Sequence, residues 1–389
     1  MLFVKRLTAL DTGERDQLMR QLQEERMAKR RTEESEMKLR FTYNLMLAEI
    51  DALRTEIEEL KRGIRHEQRE LWDFRLQQVV PLNDKISSAR LVEYDPQGKQ
   101  YIVAGAGSNS HGICKVSVLD SWQTLWVPLH QQLIKAMSIN SESLLLTTSF
   151  DRTLKLSSLH NNNVLLSYGL PCPGWSCGFD KDNSERCWAG LANGSVQLFD
   201  IRMTRGPLAQ GKVSSTPIHA IASLGGDKLG ISSLDGLRIL KIAHLNEAEE
   251  TVSFVDAYAN RIPSCCPFAF DDSVLAMASK GCPGRFAVGR LSCDENSSKM
   301  EWKVMYEGKS HHPVTSFVRP SLLSLPSEDL AVFPDRTELR LVKIKRDTGD
   351  REERKLLVDS NCIVDCCFAR SIDSLQLAVL AERQLSIFS

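Results

Sequence analysis

The serine of Gly174-Trp175-Ser176-Cys177-Gly178 has the sequence surroundings of a hydrolase nucleophile. In the Gly-x-Ser-x-Gly motif the serine lies on a strained turn between a strand and a helix, which exposes its hydroxyl group to the substrate. Here Ser176 is followed by Phe179, a polar turn and a second apolar run within a repeating unit. We therefore expect Ser176 to lie inside a strand, and we assign no catalytic residue.

The eleven cysteines are the other residues that could do chemistry. No two of them have Cys-x-x-Cys spacing, and the best candidates for a zinc site are Cys362 with Cys366, and His311-His312. Neither candidate has the second downstream pair that a structural zinc site needs. A thiolate nucleophile requires a lowered pKa, and no local motif marks such a cysteine. We expect reduced, mostly buried thiols and no cofactor bound to this chain.

Charge and proline divide the 389 residues into two segments. Residues 1–80 carry 16 basic and 16 acidic side chains, or 40%, whereas the remaining residues carry 33 and 34, or 22%. All 14 prolines lie at or beyond Pro81. A long segment without proline suits an uninterrupted helix, because proline removes a backbone donor and clashes with the preceding turn. We therefore predict a helical domain at 1–80 and a second domain at 81–389.

Two classes of partner are disfavoured by the same composition. The formal net charge of −1 argues against direct binding of nucleic acid, since that binding depends on neutralising phosphates with lysine and arginine. No apolar run approaches the roughly 20 residues that span a bilayer, so we expect no membrane partner.

The helical segment has a narrow apolar seam with alternate spacings of four and three. Its members are Leu39, Tyr43, Met46, Ile50, Leu53, Ile57, Leu60 and Ile64. This 3.5-residue period is typical of a coiled coil, and isoleucine at a with leucine at d favours two parallel strands. Glu49 at g then faces Arg54 at e of a parallel partner, so we predict a parallel homodimer. An amphipathic helix that folds back onto its own domain is the alternative, because Leu45 and Leu47 lie outside the seam.

After Pro81 the pattern changes to short apolar alternations separated by turn residues, which is typical of strands. Units of similar layout begin at Ile86, Ile134, Gly174, Ile218, Pro263, Pro313 and Ile363, at separations of 48, 40, 44, 45, 50 and 50 residues. This period is typical of propeller blades, which bury their faces against neighbouring blades in a closed ring. The sequence therefore predicts an all-β, seven-bladed β-propeller.

The layout is clearest at residues 174–202. Trp175 to Phe179, Arg186 to Leu191 and Val196 to Asp200 are predicted as strands, with a tight turn at Asn193-Gly194. The spacing resembles that of the WD repeat, although the Trp-Asp dipeptide is replaced by Phe199-Asp200 here. We expect structural roles within or between blades for Asp151, Trp175, Cys177, Asn193, Gly194, Asp200 and His312.

The whole arrangement resembles the RING-finger and WD-repeat ubiquitin ligases of the Fanconi anaemia pathway. The opening Leu7-Thr8-Ala9-Leu10-Asp11-Thr12 and the coiled coil contribute to the resemblance. The strongest likeness is to that family's second and third blades. It involves residues 144–159, Trp175-Ser176-Cys177 and Ala189 to Ser195, with Asp200 and Arg202. The resemblance implies a nuclear protein, with the cytoplasm as a second location. It also implies ubiquitination of replication protein A and of the strand-exchange recombinase during interstrand-crosslink repair.

In that family a RING finger holds zinc and binds the ubiquitin-conjugating enzyme, and no Cys/His octet of this kind occurs in the present sequence. Because Met1 falls close to the expected junction after the RING finger, we expect an incomplete product of a longer gene. A lineage that has lost the finger is the alternative. The first hypothesis is thus the dimerising, substrate-recognising portion of a ubiquitin ligase. The second is a non-enzymatic scaffold, which the fold does not distinguish from the first.

Overall fold

The computed structural model describes residues 15–17, 19–33, 35–40, 42, 43, 46, 50, 74–246, 251–256, 268–279, 284–293, 300–310, 319–359, 362–370 and 374–389. The chain divides into two compact domains, Met1–Trp72 and Asp73–Ser389. Each domain is described by itself.

The described residues of the first domain, Met1–Trp72, are helical. Four members of the predicted seam are among them, and Leu39, Tyr43, Met46 and Ile50 are exposed by 75%, 63%, 56% and 46%. The other four members, Leu53, Ile57, Leu60 and Ile64, lie outside the described residues. Within a single chain the described half of the seam is therefore not buried, and the coiled coil stays a prediction.

The described residues of the second domain, Asp73–Ser389, form strands connected by turns and loops. In chain order they are β1 Leu76–Pro81, β2 Ile86–Asp95, β3 Gln100–Gly107, β4 His111–Ser117, β5 Thr124–His130, β6 Ile134–Ile139, β7 Leu144–Ser149, β8 Thr153–Ser158, β9 Val164–Gly169, β10 Gly174–Phe179, β11 Arg186–Leu191, β12 Ser195–Asp200, β13 Ala209–Lys212, β14 Ala220–Gly225, β15 Lys228–Ser233, β16 Gly236–Asn246, β17 Thr251–Asp256, β18 Phe268–Asp271, β19 Val274–Ser279, β20 Arg285–Cys293, β21 Met300–Lys309, β22 Ser321–Ser324, β23 Glu328–Asp335, β24 Glu338–Lys345, β25 Arg351–Leu357, β26 Ile363–Arg370, β27 Leu375–Ala381 and β28 Gln384–Phe388. No helix in the described parts of the chain is long and apolar enough to cross a membrane.

The strands form antiparallel sheets of four in chain order. In the part of the chain that the structure describes, five sheets contain β2–β5, β6–β9, β18–β21, β22–β25, and β26–β28 with β1. The sixth has eight strands, because β13 and β17 of two such groups meet in one parallel pair, Gln210 with Thr251. We call β2–β5, β6–β9, β10–β13, β14–β17, β18–β21 and β22–β25 units 1 to 6, and β26–β28 with β1 unit 7.

The predicted repeat starts agree with the strands where the structure describes them. Ile86, Ile134, Gly174 and Ile363 each begin the first strand of a unit, and β14 begins two residues after Ile218. Pro263 and Pro313 lie outside the described residues. The three strands predicted within residues 174–202 correspond to β10, β11 and β12.

The boundary between the two domains differs from the prediction at residue 81. Strand β1 pairs with β28 in antiparallel register, with Val79 opposite Ser386 and Pro81 opposite Gln384, and Val80 is 2% exposed. Residues 76–80 thus belong to the β unit rather than to the helical segment. Pro81 does not begin the second domain but ends an edge strand, where a missing N–H group breaks no ladder hydrogen bond.

Among the described residues, the first strands of units 1 to 7 contact one another in a cycle: β2 with β6, β6 with β10, β10 with β14, β14 with β18, β18 with β22, β22 with β26, and β26 with β2. The buried apolar clusters lie between neighbouring units, as where Tyr101 of unit 1 packs with Leu380 of unit 7. Second strands such as β11 are buried on both faces, whereas the fourth strand β25 is mostly exposed. Each unit therefore buries its faces against its neighbours, as sheets packed face to face do.

Candidate functional site

A buried histidine connects unit 1 with unit 2, the sheets β2–β5 and β6–β9. His130, the last residue of β5, is 2% exposed. Its Nδ1 lies 2.9 Å from Oδ2 of Asp151 and its Nε2 lies 2.9 Å from Oγ1 of Thr147. Asp151 also accepts hydrogen bonds from Oγ1 of Thr153 at 2.6 Å and from the backbone N of Gln131 at 3.0 Å. Asp151, for which a structural role was expected, is thus the centre of a polar network.

The protonation of this network follows from its surroundings. Burial lowers the pKa of His130, and the neighbouring Asp151 offsets part of that change. Burial by itself would raise the pKa of Asp151, but hydrogen bonds from Thr153, Gln131 and His130 outweigh it and hold the pKa below its ordinary value. An ionised carboxylate only accepts hydrogen bonds, so Nδ1–H of the neutral imidazole donates to Asp151. This hydrogen bond attaches the turn between β7 and β8 to the end of β5.

Sequence analysis did not single out His130. The structural role expected for His312 stays a prediction, because His312 lies outside the described residues. A signal was present in the sequence, since His130 precedes the repeat start at Ile134 by four residues.

The hairpin at Asn193-Gly194 forms where it was predicted, between β11 and β12. Gly194 has φ of +79°, and a Cβ atom there would lie 2.1 Å from the carbonyl oxygen of Ser214. Oδ1 of Asn193 accepts from the backbone N of Ser195 at 3.0 Å. Both the backbone angle and the close approach of the next loop therefore require glycine at this position.

Asp200 ends β12 and holds the turn that follows. Its Oδ1 accepts from the backbone N of Arg202 at 2.9 Å, and its Oδ2 accepts from Nη2 of the same residue at 2.6 Å. The hydrogen bond from the Arg202 side chain lowers the pKa of Asp200, and burial opposes this with a smaller effect. Tyr168 of the preceding unit donates to the carbonyl oxygen of Asp200 at 3.1 Å, so this aspartate ties units 2 and 3 together.

The residues with nucleophilic potential are placed for packing. Ser176 is 2% exposed inside β10, and its hydroxyl donates to the carbonyl oxygen of Ile218 at 2.8 Å. Burial raises the pKa of the Cys177 thiol, and burial together with Asp200 raises that of Cys187 to about 12. Both cysteines lie in the apolar cluster between units 2 and 3. Neither thiol therefore offers the thiolate that covalent catalysis requires.

The first strands surround a central cavity of about 630 Å³. Arg319, just before β22, lies at its wall. Its Nη1 donates to Oε1 of Glu93 at 2.9 Å, and its Nη2 donates to Oδ2 of Asp365 at 2.6 Å. Because Glu93 belongs to β2 and Asp365 to β26, this side chain links units 6, 1 and 7. The sequence carried no signal for the arrangement.

Electrostatics maintains this link. Burial, and then the charge of Asp365, raises the pKa of Glu93 against the opposing effect of Arg319. For Arg319, burial would lower the pKa, but the two carboxylates outweigh it and raise the pKa above the ordinary value. The guanidinium therefore stays charged and is held by its partners inside the ring.

Solved structures similar to this chain show its class of fold. The strands of Asp73–Ser389 have an all-β, WD40 propeller-like fold. The chain aligns with "Structure of U3-55K" at a TM-score of 0.60 and 12% identity, covering 80% of this chain and 98% of that one. It aligns with "Crystal structure of RRP9 WD40 repeats" at a TM-score of 0.62 and 12% identity, covering 81% and 99%. At this identity the likeness concerns the fold alone.

Within that class the chain is similar to one particular kind of WD40 domain. Residues 74–251 match the family model described as the E3 ubiquitin-protein ligase RFWD3 WD40 domain. The chain is 27% identical over 232 residues to E3 ubiquitin-protein ligase RFWD3 of Ailuropoda melanoleuca, covering 52% of this chain and 30% of that protein. It is 26% identical over 233 residues to the Homo sapiens protein, with the same coverage. The chain thus matches less than a third of the length of these curated relatives.

Proposed function

We propose that this chain is the dimerising and substrate-recognising portion of a RING-type E3 ubiquitin ligase that acts in the DNA damage response and interstrand-crosslink repair. The observation that carries the proposal is the match of residues 74–251 to the RFWD3 WD40 domain. The substrates are replication protein A and the strand-exchange recombinase, as the resemblance implies, and the protein acts in the nucleus.

The recognition module of this proposal is a seven-bladed propeller. Its support is the cycle of contacts among the seven first strands and the pairing of β1 with β28, which joins the two ends of the β segment in one sheet. A closed ring removes most open strand edges and leaves rigid loops free to contact partners.

The dimerisation module is the parallel coiled coil. Its support is the seam period together with the exposure of Leu39, Tyr43, Met46 and Ile50 in the single chain. Two propellers on one dimer would raise the effective concentration of recognition sites for a substrate with several copies on one DNA strand.

The transfer step is assigned to a RING finger, with its own zinc, that binds the ubiquitin-conjugating enzyme. The present residues would select and hold the substrate. Single-stranded DNA would be reached through the replication protein A that coats it, in keeping with the chain's net charge of −1.

The test is capture of purified replication protein A, and separately of the recombinase, by the immobilised full chain. Capture of at least one of them, free of nucleic acid after nuclease treatment, is expected. Failure to capture either protein would remove the substrate assignment and leave the scaffold hypothesis.

A further inference from the structure

Register shifts of the β-bulge kind occur in several first strands, including those at Ser87 in β2 and Val364 in β26. The register of strand pairing shifts at Arg90 in β2, at Lys135 in β6 and at Trp175 in β10. A bulge leaves one residue out of the ladder and turns its side chain away from the regular alternation, and bulges are common beside functional sites. Lys135 and Trp175 hold the same position, second in the first strand of their units.

The bulged lysine is held by aromatic rings. Nζ of Lys135 lies 4.4 Å from the ring centroid of Trp175 and 5.5 Å from that of Phe150. Phe150 and Trp175 are 5.6 Å apart, and His219 meets the Trp175 ring edge-on at 4.9 Å. Cation–π attraction of this kind fixes an ammonium group that would otherwise move freely in water. Arg90 lies in β2, the strand that contacts β6 of Lys135. We call Arg90, Lys135, Phe150, Trp175 and His219 the cationic–aromatic surface.

The two cations of this surface have no carboxylate partner among the described residues, whereas two acidic groups close in sequence to members of the surface are already engaged. Asp151, next to Phe150, is hydrogen-bonded to His130. Glu93, three residues after Arg90, is paired with Arg319. Arg90 is exposed and Lys135 is half-buried. Burial, and to a smaller degree the charge of Arg90, lowers the pKa of Lys135. An anion bound close to both groups would favour the charged form of Lys135.

We propose that the cationic–aromatic surface binds an acidic segment of a partner protein, with carboxylates on Arg90 and Lys135 and an apolar side chain against Trp175 and Phe150. This deepens the proposed function and rests on it, because it names the surface through which the propeller takes its substrate. One cation held over aromatic rings and a second, exposed cation match a short peptide with a few carboxylates. A nucleic acid would need a longer basic track along its phosphates, and the chain's net charge of −1 supplies no general attraction for it.

Fluorescence anisotropy with the full chain tests the proposal. The probe is a labelled synthetic peptide in which aspartate and glutamate flank a central Leu-Phe pair, and the reference peptide has asparagine and glutamine in their place. We expect the acidic peptide to bind at least about tenfold more tightly than the reference. The double variant Arg90→Gln/Lys135→Gln should lose about tenfold in affinity or more.

Matched controls separate this surface from charge in general. Lys241→Gln and Arg351→Gln remove exposed cations elsewhere in the propeller, and their affinity should stay within about twofold of the unchanged chain, as is usual for distant charges. Lys135→Arg keeps the charge and the aromatic contact and should retain binding. Equal urea midpoints for all variants show that they fold alike.

Equal affinity for both peptides, equal loss in the control variants, or no binding of the acidic peptide would each overturn the proposal. Tighter binding of a single-stranded oligonucleotide through the same residues would overturn it in favour of nucleic acid. The capture assay keeps the two proposals apart. Replication protein A captured equally by the double variant would refute this surface and leave the proposed function standing, whereas acidic-peptide binding without capture of either substrate would refute the function.

Discussion

Nη2 of Arg319 donates a hydrogen bond of 2.6 Å to Oδ2 of Asp365, whose side chain is 1% exposed. The same carboxylate oxygen accepts from the backbone N of Val92 at 2.9 Å. Three units of the ring therefore depend on one buried charge and its partner.

We expect Arg319→Gln to lower the free energy of unfolding by about 3–5 kcal/mol, because it leaves the Asp365 carboxylate buried without a compensating charge. Urea denaturation followed by tryptophan fluorescence measures the change. Lys355→Gln removes a cation from an exposed pair with Glu338, and it should cost at most about 1 kcal/mol. Equal costs for the two variants would show that the Arg319 link does not stabilise the ring.

Stability should decrease as the pH falls below about 6.5, the ordinary pKa of an unfolded histidine. Burial lowers the pKa of His130 in the folded protein. Between the two pKa values the unfolded chain therefore binds a proton that the folded chain does not, and the folded state loses stability as pH decreases.

His130→Gln should be less stable at neutral pH, since Asp151 and Thr147 lose a partner, but its stability should change less over this pH interval. Urea midpoints at about pH 7.5 and pH 5.5 measure both effects. The other histidines are common to both proteins and cancel in the comparison. Identical pH slopes would mean that His130 titrates normally in the folded state.

Gly194→Ala should lower the free energy of unfolding by about 1–3 kcal/mol, because the residue has φ of +79° and the added Cβ would meet the Ser214 carbonyl oxygen. Gly349 has φ of +74° with open space around it, so Gly349→Ala isolates the backbone cost of about 1 kcal/mol. Gly169→Ala meets neither constraint. The order of destabilisation in urea should be Gly194, Gly349, Gly169, and any other order would contradict the steric argument.

The full chain should sediment as a dimer, and Ile57→Asp should convert it to a monomer, because a charge at position a cannot be buried between two helices. Thr55→Asp is the matched control at the outward f position and should leave the dimer intact. Analytical ultracentrifugation at several concentrations measures both. A monomer in the unchanged chain, or equal disruption by the two variants, would contradict the seam.

The all-β character of residues beyond 81, the repeat starts at Ile86, Ile134, Gly174 and Ile363 and the Asn193-Gly194 hairpin could all be predicted, because each depends on residues close together in the chain. Alternation of apolar residues decides a strand, and a glycine with positive φ decides a turn, without reference to distant residues. The WD40 resemblance followed from the same local spacings.

What only the tertiary structure decided depends on residues far apart in the chain. Strand β1 belongs to the propeller because it finds β28 at the other end of the sequence. Arg319 meets Glu93, and Lys135 meets Trp175, because ring closure and neighbouring units bring them together. No local pattern encodes such pairs, since the closed ring sets the distance between them. The amino-acid sequence alone thus determined the repeating elements, while the ring determined which charged and aromatic side chains face one another.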